Sequence, residues 1–173
     1  MTALPHFDAA AISAVVDMDS AIKALKEAFK DLGKLHPRTQ VSLGTTDDLL
    51  LMPAVTSMGI GIKTVTVISE NPGKGLPLIH AHYLLCDRDT GRPQATFDGS
   101  ALTALRTPAA SGVATEMLAP PEVASLGIFG TGVQAQGHID AMLSARSSIE
   151  TIFVSGRTLE STTNFVETAN SQG

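Results

Sequence analysis

The segment ASLGIFGTGVQA, residues 124–135, decides the fold of this sequence. Its apolar first half, Ala124–Phe129, predicts a buried β-strand. The second half, Gly130–Ala135, follows the pattern G-x-G-x-x-A, in which a tight glycine turn leads from a strand into a helix. Such a turn lets a pyrophosphate approach the free N–H groups of the helix N-terminus. A plain glycine-rich turn is the alternative, but the flanking strand and helix favour dinucleotide binding.

The residues after this turn repeat the order of strand and helix. They predict a helix from about Val133 to Arg146, a second strand at Thr151–Ser155 and a capped helix from Thr158 onward. This βαβα order is typical of the start of a Rossmann domain, which is built on a doubly wound parallel sheet. Because the sequence stops at Gly173, we expect a truncated domain whose two strands lack the rest of their sheet.

The tip of the second strand indicates which dinucleotide is preferred. NAD-specific sites usually carry an acidic residue there, but this tip reads Ser155-Gly156-Arg157-Thr158. A guanidinium at Arg157 suits a 2′-phosphate. NADP(H) is therefore favoured, with NAD(H) as the second option and an exposed loop arginine as the alternative interpretation.

The N-terminal part has a different sequence pattern, one helix followed by several short strands, which predicts a separate α+β domain. Apolar residues at helical spacing predict an amphipathic helix over Asp17–Leu32, with Gly33 as its stop. Short β-branched or alternating runs separated by turn signals predict an antiparallel or mixed sheet. Its strands are expected at Thr39–Leu43, Leu49–Val55, Gly59–Ser69, Ile79–Cys86 and Pro93–Phe97.

A long alanine-rich helix follows this sheet. Asp98-Gly99-Ser100 is expected to cap it, Leu118 to end it, and Pro108 to open a segment or cause a kink. The pair Pro120-Pro121 marks the predicted boundary between the domains. We therefore expect a substrate-binding and dimerisation domain at residues 1–119 and a partial NAD(P)-binding Rossmann domain at residues 120–173.

Composition excludes several classes of function. Hydrophobic residues make up 43% and charged residues 17% of the chain, which is typical of a globular protein. A net charge of -5 without basic runs argues against nucleic acid as a partner. No segment has the length or pattern of a membrane span or signal peptide, and the single Cys86 reads as a buried structural thiol in a reducing compartment. These features predict a cytoplasmic protein.

Two cations stand among apolar neighbours. Lys63 shares a strand face with Gly61, Val65 and Val67, and a desolvated lysine acquires a pKa useful for acid–base work. A lysine whose ammonium reaches water at the strand end is an equally good interpretation. Arg106 has only apolar helical neighbours, which indicates that it binds an anion.

The histidines give no metal site by spacing. His80 and His82 share a strand face, but no third ligand accompanies them at a suitable separation. We interpret His138, on the helix after the glycine turn, as a packing or hydrogen-bonding residue. The sequence predicts no metal.

Five blocks in one order resemble the ornithine cyclodeaminase/mu-crystallin family. They are Leu51-Met52-Pro53-Ala54, Gly61-Ile62-Lys63, Gly75-Leu76-Pro77, Asp98-Gly99 with Leu102–Thr107, and Gly130–Ala135. The resemblance implies a homodimer formed through the N-terminal sheet and a Rossmann domain that binds NAD(H) or NADP(H). It also implies hydride transfer between the Cα of an amino acid and the nicotinamide through an imine, as in ornithine cyclodeaminases, ketimine reductases and alanine dehydrogenases.

The resemblance also implies roles for individual residues. Arg38 and Lys63 would contact the substrate carboxylate, with Lys63 in the catalytic centre, and Arg106 would reach both substrate and cofactor. The remaining cofactor contacts would be Thr107, Gly130, Thr131, Gly132, Val133, Gln134, Arg157 and Thr158. The substrate would be a small amino acid or imine.

Two departures from the family pattern keep an alternative open. Pro108 stands where an alanine is common, and the sequence ends before the region expected to supply an acidic general acid/base. The alternative is a non-catalytic protein of the mu-crystallin type that binds NADP or a small ligand. A purely structural dimer is the third hypothesis.

Overall fold

The computed structural model describes residues 3–31 and 36–172. These form two compact units, one of Met1–Val15 with Ala28–Thr103 and one of Val16–Glu27 with Ala104–Gly173. The predicted boundary after residue 119 does not coincide with this division, because one early helix and most of the long helix cluster with the C-terminal segment. The assignment of substrate and cofactor roles to residues 1–119 and 120–173 stays a prediction.

The first unit is built on a mixed six-stranded sheet in the order β1-β6-β5-β4-β3-β2. Neighbouring strands are antiparallel except β1 and β6, which run parallel. The strands are β1 at His6–Phe7, β2 at Thr39–Ser42, β3 at Asp48–Thr56, β4 at Gly59–Val67, β5 at Ile79–Cys86 and β6 at Pro93–Asp98. The mixed sheet predicted from the spacing of the runs is confirmed.

The helices and the second sheet follow the predicted order. Helix α1 spans Ala9–Ser13, α2 spans Met18–Ala28 and α3 spans Gly99–Leu118. Then come β7 at Ser125–Phe129, α4 at Ala135–Ala145, β8 at Thr151–Ser155 and α5 at Leu159–Gln172. Strands β7 and β8 pair in parallel, so the βαβα start of a Rossmann domain is confirmed.

Local chemistry explains where the helices begin. Just before α2, the Asp17 carboxylate accepts a hydrogen bond from Ser20 N at 2.8 Å. Hydrogen bonds from the Ser20 side chain and backbone lower the pKa of Asp17. Asp98 accepts bonds from Ser100 N and Ala101 N at 2.8 and 2.9 Å and so caps α3 as predicted. The predicted extension of α2 to Leu32 is wrong, because α2 ends at Ala28 and Asp31 N donates to the Ala28 oxygen in a turn; Gly33 lies outside the described residues.

Small residues let the helices of the second unit pack closely. The core joins α2, α3 and α4 through Ala21, Ile22, Ala109, Val113 and Ala141. Pro108 is fully buried inside α3 and does not end it, since a single helix runs from Gly99 to Leu118.

Candidate functional site

The first unit carries a row of side chains that crosses its sheet on one face. Register pairs Met52 with Lys63, Lys63 with Tyr83, and Tyr83 with Phe97. Directly opposed residues share one face, so these side chains are neighbours. The lysine row, as we call it, consists of Met52, Lys63, Tyr83, Phe97 and Phe7.

Arg38 extends this row at the edge of the sheet. It directly precedes β2, in which Thr39 faces Leu51, so one further step in the same register brings Arg38 opposite Met52. Arg38 is exposed and Lys63 is half-buried. With strands about 4.8 Å apart, the backbones of Arg38 and Lys63 are about 10 Å apart. Two long cationic side chains at that separation can both reach one anion above Met52.

Aromatic packing surrounds the far side of Lys63. The rings of Tyr83 and Phe97 meet edge to face at 6.1 Å between centroids, and those of Phe97 and Phe7 stack at 5.1 Å. Burial raises the pKa of the Tyr83 hydroxyl, so it stays protonated at neutral pH. With Arg38 included, the lysine row therefore has a cationic end, formed by Arg38 and Lys63, and an aromatic end, formed by Tyr83, Phe97 and Phe7.

Gly61 decides where the Tyr83 side chain lies. A methyl group at Gly61 would overlap the Tyr83 hydroxyl, so the phenol crosses the backbone of β4 at this glycine. Gly61 lies two residues before Lys63 on the same face. The Tyr83 hydroxyl thus lies over β4, the strand that carries Lys63.

The glycine turn of the second unit has the geometry its pattern predicts. Gly130 adopts a φ of 102°, which glycine tolerates and other residues avoid. Its N–H donates to the carbonyl of Ser155 at 2.7 Å, which ties the turn to the end of β8. Apart from its neighbours Thr131 and Val133, no described residue has an atom within 4 Å of the place where a Cβ at Gly132 would stand. That space is what the close approach of a pyrophosphate requires.

The tip of β8 lies against this turn. A methyl group at Gly156 would be 3.2 Å from the Thr131 methyl and would overlap the Thr162 hydroxyl, so only glycine allows the approach. Arg157 follows and is exposed. The Thr158 hydroxyl accepts from Ser161 N at 3.2 Å and caps α5, so this side chain has a structural task besides its expected contact with the cofactor.

Gln134 is the polar residue whose surroundings are incomplete. Its Oε1 atom is buried and accepts no hydrogen bond from the described residues. A buried acceptor of this kind needs a donor, which a ligand at the turn would provide. Val133, beside it, is 92% exposed and so presents an apolar surface at the turn.

The contact of Pro108 with Gly137 links Thr107 to the glycine turn. A methyl group at Gly137 would stand 2.8 Å from Pro108 Cγ and 3.3 Å from the Ala104 carbonyl oxygen. Pro108 has no N–H for the Ala104 oxygen, which instead lies beside the first turn of α4. Thr107 directly precedes Pro108, so it is held near the N-terminal end of α4.

Arg106 is an exposed cation beside buried apolar residues of α3. Its side chain is exposed, whereas Ala109 and Val113, three and seven residues further along the helix, are buried. Its guanidinium therefore reaches solvent from a side of the helix that is otherwise apolar. Its expected contacts with substrate and cofactor stay predictions.

The histidines and the helices add no further class of site. His82 lies 6.0 Å from His6 between ring centroids, and the residues described include no group of three possible metal ligands. His138 Nδ1 is 2.8 Å from the Gln134 carbonyl, in line with a hydrogen-bonding role. Within the described part of the chain, no helix combines the length and apolarity that crossing a membrane needs.

Sequence reasoning missed Arg146, which joins α4 to the end of α3. Its guanidinium donates to the carbonyl oxygens of Thr115, Glu116 and Ala119 at 2.8, 3.1 and 2.8 Å. Its Nε donates to the Pro120 oxygen at 2.9 Å. An arginine in the last turn of a helix was the only available signal, and it does not reveal that the partners belong to another helix.

Comparison with known proteins gives a consistent family. A model described as the ornithine cyclodeaminase/mu-crystallin family matches residues 7–173. A Delta(1)-pyrroline-2-carboxylate reductase from Bacillus cereus is 42% identical over 153 residues, which cover 84% of this chain and 47% of the reductase. The chain thus spans about half the length of the curated relatives it matches.

Solved structures show the same fold. The Delta(1)-pyrroline-2-carboxylate reductase of Thermococcus litoralis, in complex with NADH and L-proline, matches with a TM-score of 0.88 and 31% identity. That match covers 98% of this chain and 54% of the reductase. An archaeal alanine dehydrogenase dimer with bound NAD also has a TM-score of 0.88, at 27% identity, covering 98% of this chain and 54% of its own.

Proposed function

The chain belongs to the ornithine cyclodeaminase/mu-crystallin family, and on this basis we propose that it binds a small amino acid or its imine together with a nicotinamide dinucleotide. The reaction class is that of an oxidoreductase or cyclodeaminase acting through an imine. Because the chain spans about half of its relatives, the activity of the whole enzyme is part of the proposal.

The cationic end of the lysine row is the observation that carries this proposal. Arg38 and Lys63 flank Met52 on one sheet face, about 10 Å apart at the backbone. A carboxylate above Met52 would form ion pairs with both side chains, and these two contacts would fix the orientation of an amino acid. Lys63 is half-buried, so its ammonium would act on a neighbouring imine more strongly than a fully solvated lysine could. In this proposal Lys63 orients the substrate and moves a proton.

The second unit fits a dinucleotide at its glycine turn. The open space at Gly132, the incompletely satisfied Gln134 and the exposed Val133 supply room, an acceptor and an apolar surface. A bound nicotinamide dinucleotide would supply the hydride chemistry of the proposed reaction. Thr107 and Arg106 on α3 would contact the same ligand, in the roles the family resemblance implies.

The preference for NADP(H) over NAD(H) is a finer proposal that rests on Arg157. The tip of β8 offers this exposed guanidinium and no carboxylate, directly after the close contact of Gly156 with Thr131. We expect Arg157→Ser to weaken NADPH binding about tenfold or more, since it removes a charged contact, and to leave NADH binding unchanged. Fluorescence titration with both dinucleotides distinguishes this result from a general loss of binding.

A homodimer formed through the sheet is also proposed. One end of the face opposite the lysine row is apolar and half-buried, with Ile60, Ile62 and Leu84 side by side on β4 and β5. Contiguous apolar surface of this kind commonly marks an interface. Ile62→Asp should therefore yield a monomer in sedimentation equilibrium, and a mass equal to that of a wild-type dimer would contradict this interface. A cytoplasmic location stays a prediction from the sequence.

The test of substrate binding uses the full 173-residue chain. Calorimetry with L-alanine, L-proline and L-ornithine, in the presence of NADP⁺, should give saturable binding of at least one of them. Lys63→Met should weaken that binding about tenfold or more, because it removes a charged partner of the carboxylate. Arg88→Met, which removes an exposed positive charge in the turn after β5, is the matched control and should bind as the wild type does. Equal affinity in the Lys63 variant would overturn the proposed role.

A further inference from the structure

The aromatic end of the lysine row has no part in the proposed chemistry, although it directly adjoins Lys63. Tyr83 is the cross-strand partner of the lysine, and opposed side chains of this kind lie about 5 Å apart at Cβ. The phenol leans across Gly61, so its hydroxyl end lies over β4, the strand of the lysine. Whatever binds to the Lys63 ammonium therefore has the Tyr83 side chain as a neighbour.

The position of the phenol can be compared with the size of a ligand. A carboxylate above Met52 is one strand, about 5 Å, from the line of β4, and Gly61 is two residues, about 7 Å, along that strand from Lys63. The Tyr83 hydroxyl is then about 8 Å from the carboxylate, measured over the sheet. An alanine side chain ends well short of that distance, whereas an aromatic side chain reaches it.

The Tyr83 side chain is held in this position from its other side. Phe97 packs against it edge to face at 6.1 Å, and Phe97 is itself stacked on Phe7. A ring supported in this way cannot turn aside without breaking aromatic contacts. Movement toward β4 is equally restricted, because the phenol already lies directly on Gly61.

We propose that Tyr83, seated on Gly61, sets the upper size limit of the amino-acid side chain that the lysine row accepts. Tyr83 is then a specificity-determining residue that limits space, while Lys63 and Arg38 bind the carboxylate common to all amino acids. This inference rests on the proposed function, since it needs the carboxylate at Lys63.

The experiment compares the affinities for L-alanine and L-phenylalanine of the 173-residue chain saturated with NADP⁺. Removing the ring in Tyr83→Ala should lower the ratio of the two dissociation constants, phenylalanine over alanine, about tenfold or more. Tyr83→Phe keeps the ring and should stay within about threefold of the wild-type ratio. A merely destabilised fold would weaken both ligands and leave the ratio unchanged.

Two kinds of failure are distinguishable. If Lys63→Met abolishes L-alanine binding but Tyr83→Ala leaves the ratio at its wild-type value, the size limit lies elsewhere and the proposed function stands. If the wild-type chain binds neither amino acid, the proposed function itself fails. Arg88→Met, at an exposed position in the turn between β5 and β6, serves as the control and should reproduce both wild-type constants.

Discussion

Replacing Arg146 by methionine should destabilise the second unit, because this side chain satisfies the C-terminal end of α3. The last carbonyl groups of a helix have no partners within it. Arg146 donates to the oxygens of Thr115, Glu116 and Ala119 at 2.8–3.1 Å, and a fourth bond reaches Pro120. Its positive charge also lies at the negative end of the helix dipole. Methionine keeps much of the apolar stem and removes all of these bonds.

The expected loss follows from the number and surroundings of these bonds. A hydrogen bond from a charged donor contributes about 1.5 kcal/mol or more; Nη2 and Nε together carry three hydrogens for these four oxygens, so the bonds would give about 4.5 kcal/mol if they were fully buried and additive. Arg146 is only half-buried, and water will replace it at some of the oxygens. We therefore expect the free energy of unfolding to fall by about 2–4 kcal/mol.

Urea denaturation followed by circular dichroism at the helix band measures this change. Arg146→Lys is the matched control, since it keeps the charge but loses the planar fork, and its loss should be about half as large. If the free energy of unfolding of the methionine variant is within about 0.5 kcal/mol of the wild-type value, Arg146 does not stabilise the end of α3, because an ordinary surface substitution has an effect of that size.

Three other substitutions test the packing, a cap and a charged turn. Gly137→Ala should cost about 1–3 kcal/mol, since its Cβ would stand 2.8 Å from Pro108 Cγ; combining it with Pro108→Ala should recover part of that loss in urea denaturation. Asp98→Ala should cost about 1 kcal/mol by removing the cap of α3, whereas Asp98→Asn should lose less, and equal losses would contradict the cap. Hydrogen bonds from Thr90 lower the pKa of Asp87 from 3.8, so its stabilising contribution is present above that value and is lost as the pH falls through the lowered folded value. Asp87→Asn should therefore flatten the acid limb of a plot of melting temperature against pH, and an unchanged limb would contradict this.

The elements predicted most accurately are those whose pattern is local. Strands Ile79–Cys86 and Thr151–Ser155 occupy the residues expected from alternation and flanking turns. The glycine turn was predicted because each small residue of its pattern has a specific structural role and because a strand precedes the turn and a helix follows it, as the pattern requires. Lys63 was identified as a polar exception on an apolar face, and its half-burial follows from the same alternation.

The missed elements depend on contacts far apart in sequence. Strand β1 has two residues and exists through pairing with β6, about ninety residues away, while α1 has five residues and one cap. No local pattern reveals that α2 packs on α3 and α4, since its apolar stripe fits any partner. The position of Tyr83 likewise depends on register, which places Gly61 and Lys63 beside it.

A dinucleotide titration of the wild-type chain and a Gly132→Val variant tests directly whether the glycine turn binds a nicotinamide dinucleotide. A Cβ at Gly132 would have no described residue within 4 Å other than its two chain neighbours, so valine should leave the fold intact while it blocks the approach of a pyrophosphate. We expect saturable NADPH binding to the wild type, measured by fluorescence, and a loss of affinity of about tenfold or more in the valine variant, with an unchanged circular dichroism spectrum. Wild-type protein that does not bind NADPH or NADH, or a valine variant that binds NADPH equally well, would contradict it.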